Sequence, residues 1–87
     1  MHYLIFSDSF ISLANKLENV LGIRLDEQLK ILAENCFSPI LHAKPLHGKF
    51  ADFHSCRLGR DYRIIYRFID AKTILLISVK HRKDIYR

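Results

Sequence analysis

The spacing of apolar residues changes once along this chain of 87 residues, and that change limits the fold more than any other feature. In the first part the apolar side chains recur every three or four residues, the period of a helix. In the last part they alternate, or run together with aromatic and β-branched residues, as strands do. A chain with this division is α+β, its helices preceding most of its sheet. Hydrophobic residues make up 49% of it and charged residues 26%, which is enough for one packed core. At this length a single domain over residues 1–87 is expected.

Met1–Phe6 reads as a first strand. It has neither a basic leader nor a small-residue cleavage site, so it is expected to belong to the fold and not to a secretory signal. Ser7-Asp8-Ser9 can cap a helix, and Phe10, Leu13, Ala14, Leu17, Val20 and Leu21 then form one stripe, with Gly22 placed to end it. Leu25, Leu29, Leu32, Ala33 and Cys36 repeat the spacing, which predicts a helix hairpin. Residues 37–48 lose all periodicity and carry Pro39, Pro45 and Gly48, as a long connection would. Three strands are predicted after it, over residues 51–58, 62–70 and 73–80, with Gly59-Arg60-Asp61 and Asp70-Ala71-Lys72 as turns. The expected order is β-α-α-β-β-β: an antiparallel sheet with the helix hairpin on one face and the other face open.

Charge divides the chain at the same place. Residues 1–43 hold three basic side chains, Lys16, Arg24 and Lys30, against five acidic ones, a net of −2. Residues 44–87 hold eleven against four, a net of +7. Such a surface collects polyanions, nucleic acid first and an acidic lipid surface second, unless its lysines and arginines are simply solvated. No apolar run is long enough to cross a bilayer, so no membrane partner is expected. Cys36 and Cys56 read as reduced thiols, which suits a cytoplasmic protein. Their spacing matches no metal site, and no phosphate-binding glycine loop or nucleophile elbow is present, so neither a metal nor a cofactor is expected.

Alternation along residues 62–68 puts Tyr62, Ile64, Tyr66 and Phe68 on one sheet face and Arg63, Ile65 and Arg67 on the other. Arg63 is then expected on the open face, awaiting an anion or held in a salt bridge to Asp52 or Asp84. Arg57 on the preceding strand adds a second guanidinium, in outline a phosphate cradle. The tail His81-Arg82-Lys83-Asp84-Ile85-Tyr86-Arg87 supplies an imidazole suited to proton transfer and a tyrosine that can donate a hydrogen bond or stack on a base. His81 can equally be a solvated strand end, and Tyr86 a hydrophobic anchor. The sharpest expectation is that Arg57, Arg63 and His81 gather on one open sheet face.

Three blocks of the second half resemble a known family: Lys44-Pro45-Leu46-His47-Gly48; Arg57-Leu58-Gly59 followed by Asp61-Tyr62-Arg63-Ile64-Ile65-Tyr66; and Val79-Lys80-His81-Arg82-Lys83-Asp84-Ile85-Tyr86-Arg87. Together with the element order they are similar to the RelE/ParE toxin superfamily of type II toxin–antitoxin systems. In its RelE-like branch, the resemblance implies a metal-free endoribonuclease that cuts mRNA, commonly on the ribosome, and is held inactive in a hetero-oligomer by an acidic antitoxin from the adjacent gene. There the ribose 2′-hydroxyl attacks the neighbouring phosphorus, leaving a cyclic phosphate and a 5′-hydroxyl.

Carried over by position, Arg63 and Arg57 would stabilise the phosphorane, His81 would act as general acid or base, and Tyr86 would orient or stack on the substrate. Lys44, Lys49, Arg60, Lys80, Arg82 and Lys83, with His54, would form a rim that binds the RNA. His54 lies where other members carry base candidates, and Asp61 occupies either a functional position or an ordinary turn. The rival implied by the same superfamily is a ParE-like protein that poisons DNA gyrase without cutting RNA; a member retaining only antitoxin binding is a third.

Overall fold

The computed structural model describes residues 1–48 and 51–85. In chain order the elements are β1 (Tyr3–Phe6), α1 (Asp8–Ala14), α2 (Asn19–Glu34), a 3-10 turn at Pro39–Leu41, β2 (Lys44–Pro45), β3 (His54–Leu58), β4 (Tyr62–Asp70), β5 (Thr73–His81) and α3 (Arg82–Ile85). The strands form one sheet in the order β1-β5-β4-β3-β2. Three of its pairings are antiparallel, as expected, whereas β1 runs parallel to β5. Among the described residues no helix is long and apolar enough to cross a membrane.

The expected α+β class and helix pair are present, but the helix boundary moves. The stripe from Phe10 to Leu21 predicts one helix ending at Gly22, whereas the break falls at residues 15–18. There the Lys16 and Leu17 amides bond back to Leu13 and Ala14, three residues earlier, in a tight turn that still leaves Leu17 against the core. Gly22 lies inside α2 and donates to Glu18 at 2.9 Å. Periodicity cannot see this break, because the turn keeps the same residues facing inward.

Ser7 starts α1 as its side chain suggests. Its Oγ accepts from the Phe10 amide at 3.0 Å and donates to the Ile77 carbonyl at 3.1 Å, joining a helix cap to the middle of β5. Ser7→Ala is therefore expected to cost about 1–2 kcal/mol, read by denaturant unfolding.

The main core lies between the helices and one sheet face. Phe10, Leu25 and Leu32 meet Cys56, Leu58, Ile64, Tyr66, Ile74, Leu76 and Val79. Burial pushes the Cys56 thiol from 9.0 up to about 12, against the opposing pull of the Arg63 charge. Burial likewise raises the Tyr66 hydroxyl, followed by the neighbouring Cys56 and Cys36. Both groups stay neutral more readily folded than unfolded, so their contribution is complete below about pH 9 and is lost as pH climbs toward 12. Stability measured across that interval should fall steadily, and Cys56 should resist thiol reagents until the chain unfolds.

The second sheet face is not open along its whole length. The chain turns at the end of β5 into α3, and Ile85 packs there with Leu46 and Ile65, flanked by Phe53 and Ile77. This small second core divides the face into an apolar part under α3 and a cationic part beside it. At the β4–β5 turn, Asp70 accepts from the Lys72 amide at 2.8 Å. That bond, with a second from Thr73, holds its carboxyl below the usual range.

Candidate active site

Strand register builds the site. Arg57 on β3 lies directly opposite Arg63 on β4, which in turn lies opposite Lys80 on β5. Directly opposed residues carry their side chains on the same face, their Cβ atoms about 4.5–5.5 Å apart, so three cations form one row across the sheet. Like charges in such a row oppose folding, which makes the row a feature that demands a purpose beyond packing.

Arg63 is held in place by neutral acceptors. Its Nε donates to Ser55 Oγ at 2.8 Å, and its Nη2 donates to the carbonyls of His42 at 2.6 Å and Ser55 at 3.2 Å. Ser55 is fully buried. His42 presents its carbonyl from a left-handed conformation, φ +47°, an uncommon backbone state for a residue other than glycine. These acceptors are neutral and fix the plane of the guanidinium.

Lys44, Arg57, Arg60, Arg63 and Arg82 line one pocket of about 200 Å³ together with Tyr62. Lys44 reaches it from β2, which pairs with β3 so that Lys44 lies opposite Ser55. Asp61 holds Arg82 at the pocket mouth: its carbonyl accepts from the Arg82 amide at 2.7 Å, and its carboxylate lies 3.8 Å from Arg82 Nε. Asp61 is thus the turn residue anticipated, with a second task of positioning an arginine.

His81 is placed differently from the expectation. Simple alternation along β5 assigns His81 to the face opposite Ile74 and Leu76, the face of Arg63. A bulge at Ile77 lets Ile65 pair with Ser78 while Tyr66 pairs with Leu76, and this extra residue inverts the alternation beyond it. Lys80 therefore joins the Arg63 row, and His81 pairs with Tyr62. The two rings meet edge to face with centroids 5.3 Å apart, so His81 touches a residue that lines the pocket but does not line it itself. The Lys83 amide donates to His81 Nδ1 at 3.2 Å. An acceptor at Nδ1 leaves Nε2 as the nitrogen free to face a ligand.

His54 is not brought to this face. It pairs with Tyr66 on the helix side of the sheet, stacked on that ring at 5.7 Å and edge-on to Phe68 at 5.3 Å. Lys80 and Lys83 are exposed and do not line this pocket, Lys80 instead lining a separate one with Leu46, Phe53 and Ile85, whereas Lys49 and Tyr86 lie outside the described residues. Three contributors were missed in the sequence: Tyr62 in the pocket, and Ser55 and His42 as the supports of Arg63. Tyr62 was assigned wholly to the core by alternation; its place at the strand end lets it serve both.

Residues 4–86 match the model of a family described as the ParE toxin of the type II toxin–antitoxin system, parDE. The chain belongs to the ParE toxin family. This places it in the RelE/ParE superfamily as a toxin of type II toxin–antitoxin systems, in agreement with the three sequence blocks. It is 42% identical over 50 residues to Toxin RelG of Mycobacterium tuberculosis, a match spanning 56% of this chain and 56% of that protein. The fold of this ParE-family chain is that of the YoeB/ParE toxin from Agrobacterium tumefaciens, with a TM-score of 0.77 at 15% identity, covering 92% of this chain and 98% of the other. It is also similar to a chain of the toxin–antitoxin complex RelBE2 from Mycobacterium tuberculosis, with a TM-score of 0.64 at 27% identity over 93% of this chain and 98% of that one.

Proposed function

We propose that this toxin is a metal-free endoribonuclease that cuts mRNA in the cytoplasm, in association with the ribosome. The observation that carries the reading is the convergence of five cations and Tyr62 on one pocket, with His81 against the Tyr62 ring. In-line attack of a 2′-hydroxyl on the adjacent phosphorus, with its proton passing to a general base, forms a phosphorane with an additional negative charge; the bond to the 5′ oxygen then breaks, and that oxygen takes a proton from a general acid to leave as a 5′-hydroxyl. Guanidinium groups already fixed in direction stabilise that charge without reorganising. Arg63 has this property through Ser55 and His42, and Arg57 stands opposite it. His81, with its Nδ1 engaged by the Lys83 amide, keeps Nε2 as the ring nitrogen that would exchange one of these protons as general acid or base. Tyr86 is proposed to orient or stack on the substrate, and Lys44, Lys49, Arg60, Lys80, Arg82 and Lys83 to bind the backbone.

An antitoxin partner is part of the same reading. The similar RelBE2 structure is a toxin–antitoxin complex. For this chain, a short acidic protein with an amphipathic helix would neutralise the toxin by covering the cationic pocket. Induced expression without such a partner should arrest growth, and primer extension on cellular transcripts should show new 5′ ends. Arrest without new ends would reject the nuclease reading. The second reading, gyrase poisoning, is favoured by the ParE description of the matching family. It requires loss of supercoiling activity in a gyrase assay containing the purified toxin.

A further inference from the structure

Arg24 is one of only three basic residues in the acidic first half of the chain, and the fold sets it against the cationic second half. It lies on α2 and lines a pocket of about 280 Å³ with Glu27, Gln28, Arg57 and Gly59. Arg57 also lines the candidate active site, so the two pockets have that residue in common. The connection between them is built, not incidental. Gln28 Nε2 donates to the Arg57 carbonyl at 2.8 Å, fastening α2 to β3. Gly59, at φ +62°, brings the β3–β4 turn so near the helix that a Cβ there would lie 3.2 Å from Leu21 Cδ2 and 4.0 Å from Arg24 Cδ.

We propose that this second pocket is a subsite for a nucleotide flanking the scissile linkage, its phosphate held between Arg24 and Arg57. The inference rests on the nuclease reading and extends it, giving the RNA strand a direction over the turn between β3 and β4. Glu27, three residues along the same helix, offsets part of the Arg24 charge, which makes this a subsite of moderate strength.

The test uses 2′-O-methyl RNA, which cannot supply the attacking hydroxyl, as a fluorescent dinucleotide and a fluorescent hexanucleotide at low salt. Wild-type protein should bind the hexanucleotide more tightly. Arg24→Ala should weaken the hexanucleotide roughly three- to tenfold, as loss of one charged contact does, and leave the dinucleotide unaltered. The slope of log affinity against log salt should also fall by about 0.7 for the hexanucleotide, a change that a merely structural role would not produce. Arg63→Ala should weaken both ligands. If Arg24→Ala changes neither, or weakens both equally, the subsite is rejected while the Arg63 result still stands. If Arg63→Ala also changes neither, or if wild-type protein binds no RNA, the nuclease reading itself fails.

Discussion

Arg63→Ala is expected to abolish growth arrest and to lower RNA cleavage by about 100- to 1,000-fold, the cost of removing one fixed donor from a developing oxyanion. The effect has two physical parts. The first is lost charge beside the phosphorane. The second is structural, because buried Ser55 loses the donor to its Oγ, which costs about 1–3 kcal/mol. Ser55→Ala separates them: the guanidinium stays, one of its restraints goes, and cleavage should fall less than in Arg63→Ala. Arg63→Lys should not restore activity. A lysine keeps the charge but cannot span Ser55 Oγ, the Ser55 carbonyl and the His42 carbonyl with one planar fork. Cleavage rates of purified variants, compared with their unfolding midpoints, resolve chemistry from stability. Full activity in Arg63→Ala would remove this residue from the site.

The second large effect is at His81. His81→Ala should reduce cleavage by about 100-fold or more, the scale of one proton-transfer or hydrogen-bonding group in the transition state. Because Lys83 occupies Nδ1, His81→Gln should retain part of the activity, its amide donating in place of Nε2. Loss of the Tyr62 ring edge should act in the same direction but more weakly, since Tyr62 touches the imidazole and does not replace it. If His81→Ala cuts RNA at the wild-type rate, the imidazole against Tyr62 is a strand-end residue and nothing more.

Much of this arrangement is legible in the sequence because β structure has a strict period. Alternation through Tyr62–Phe68 correctly divides core from cationic face, and it places Arg63 and Arg57 together before any coordinate is consulted. The same rule fails one strand later for a physical reason. The bulge at Ile77 adds a residue that nothing in Thr73-Ile74-Leu75-Leu76-Ile77-Ser78 announces, and every side chain beyond it changes face. His81 moves from the Arg63 row to the Tyr62 row by that single insertion. The helix break at residues 15–18 is hidden likewise, since a tight turn there preserves the inward residues. Three of the groups that hold Arg63 are neutral oxygens, two of them backbone carbonyls. Residue identity cannot reveal a carbonyl's direction.

The cationic row also explains how the two readings of this family differ in what they require of the molecule. Gyrase binding can use an exposed set of arginines anywhere on the surface. Cleavage demands that cations and a proton-transfer group meet at one linkage; Arg57 and Arg63 share a pocket, and His81 is linked to it through its contact with Tyr62.

The most direct measurement is end chemistry. Purified toxin should be incubated with mRNA, alone and on ribosomes, in excess chelator, and the new termini identified. The account predicts 2′,3′-cyclic phosphate and 5′-hydroxyl ends that persist in chelator and vanish in Arg63→Ala. Ends bearing 5′-phosphate, or cleavage that stops when metal is removed, would contradict it.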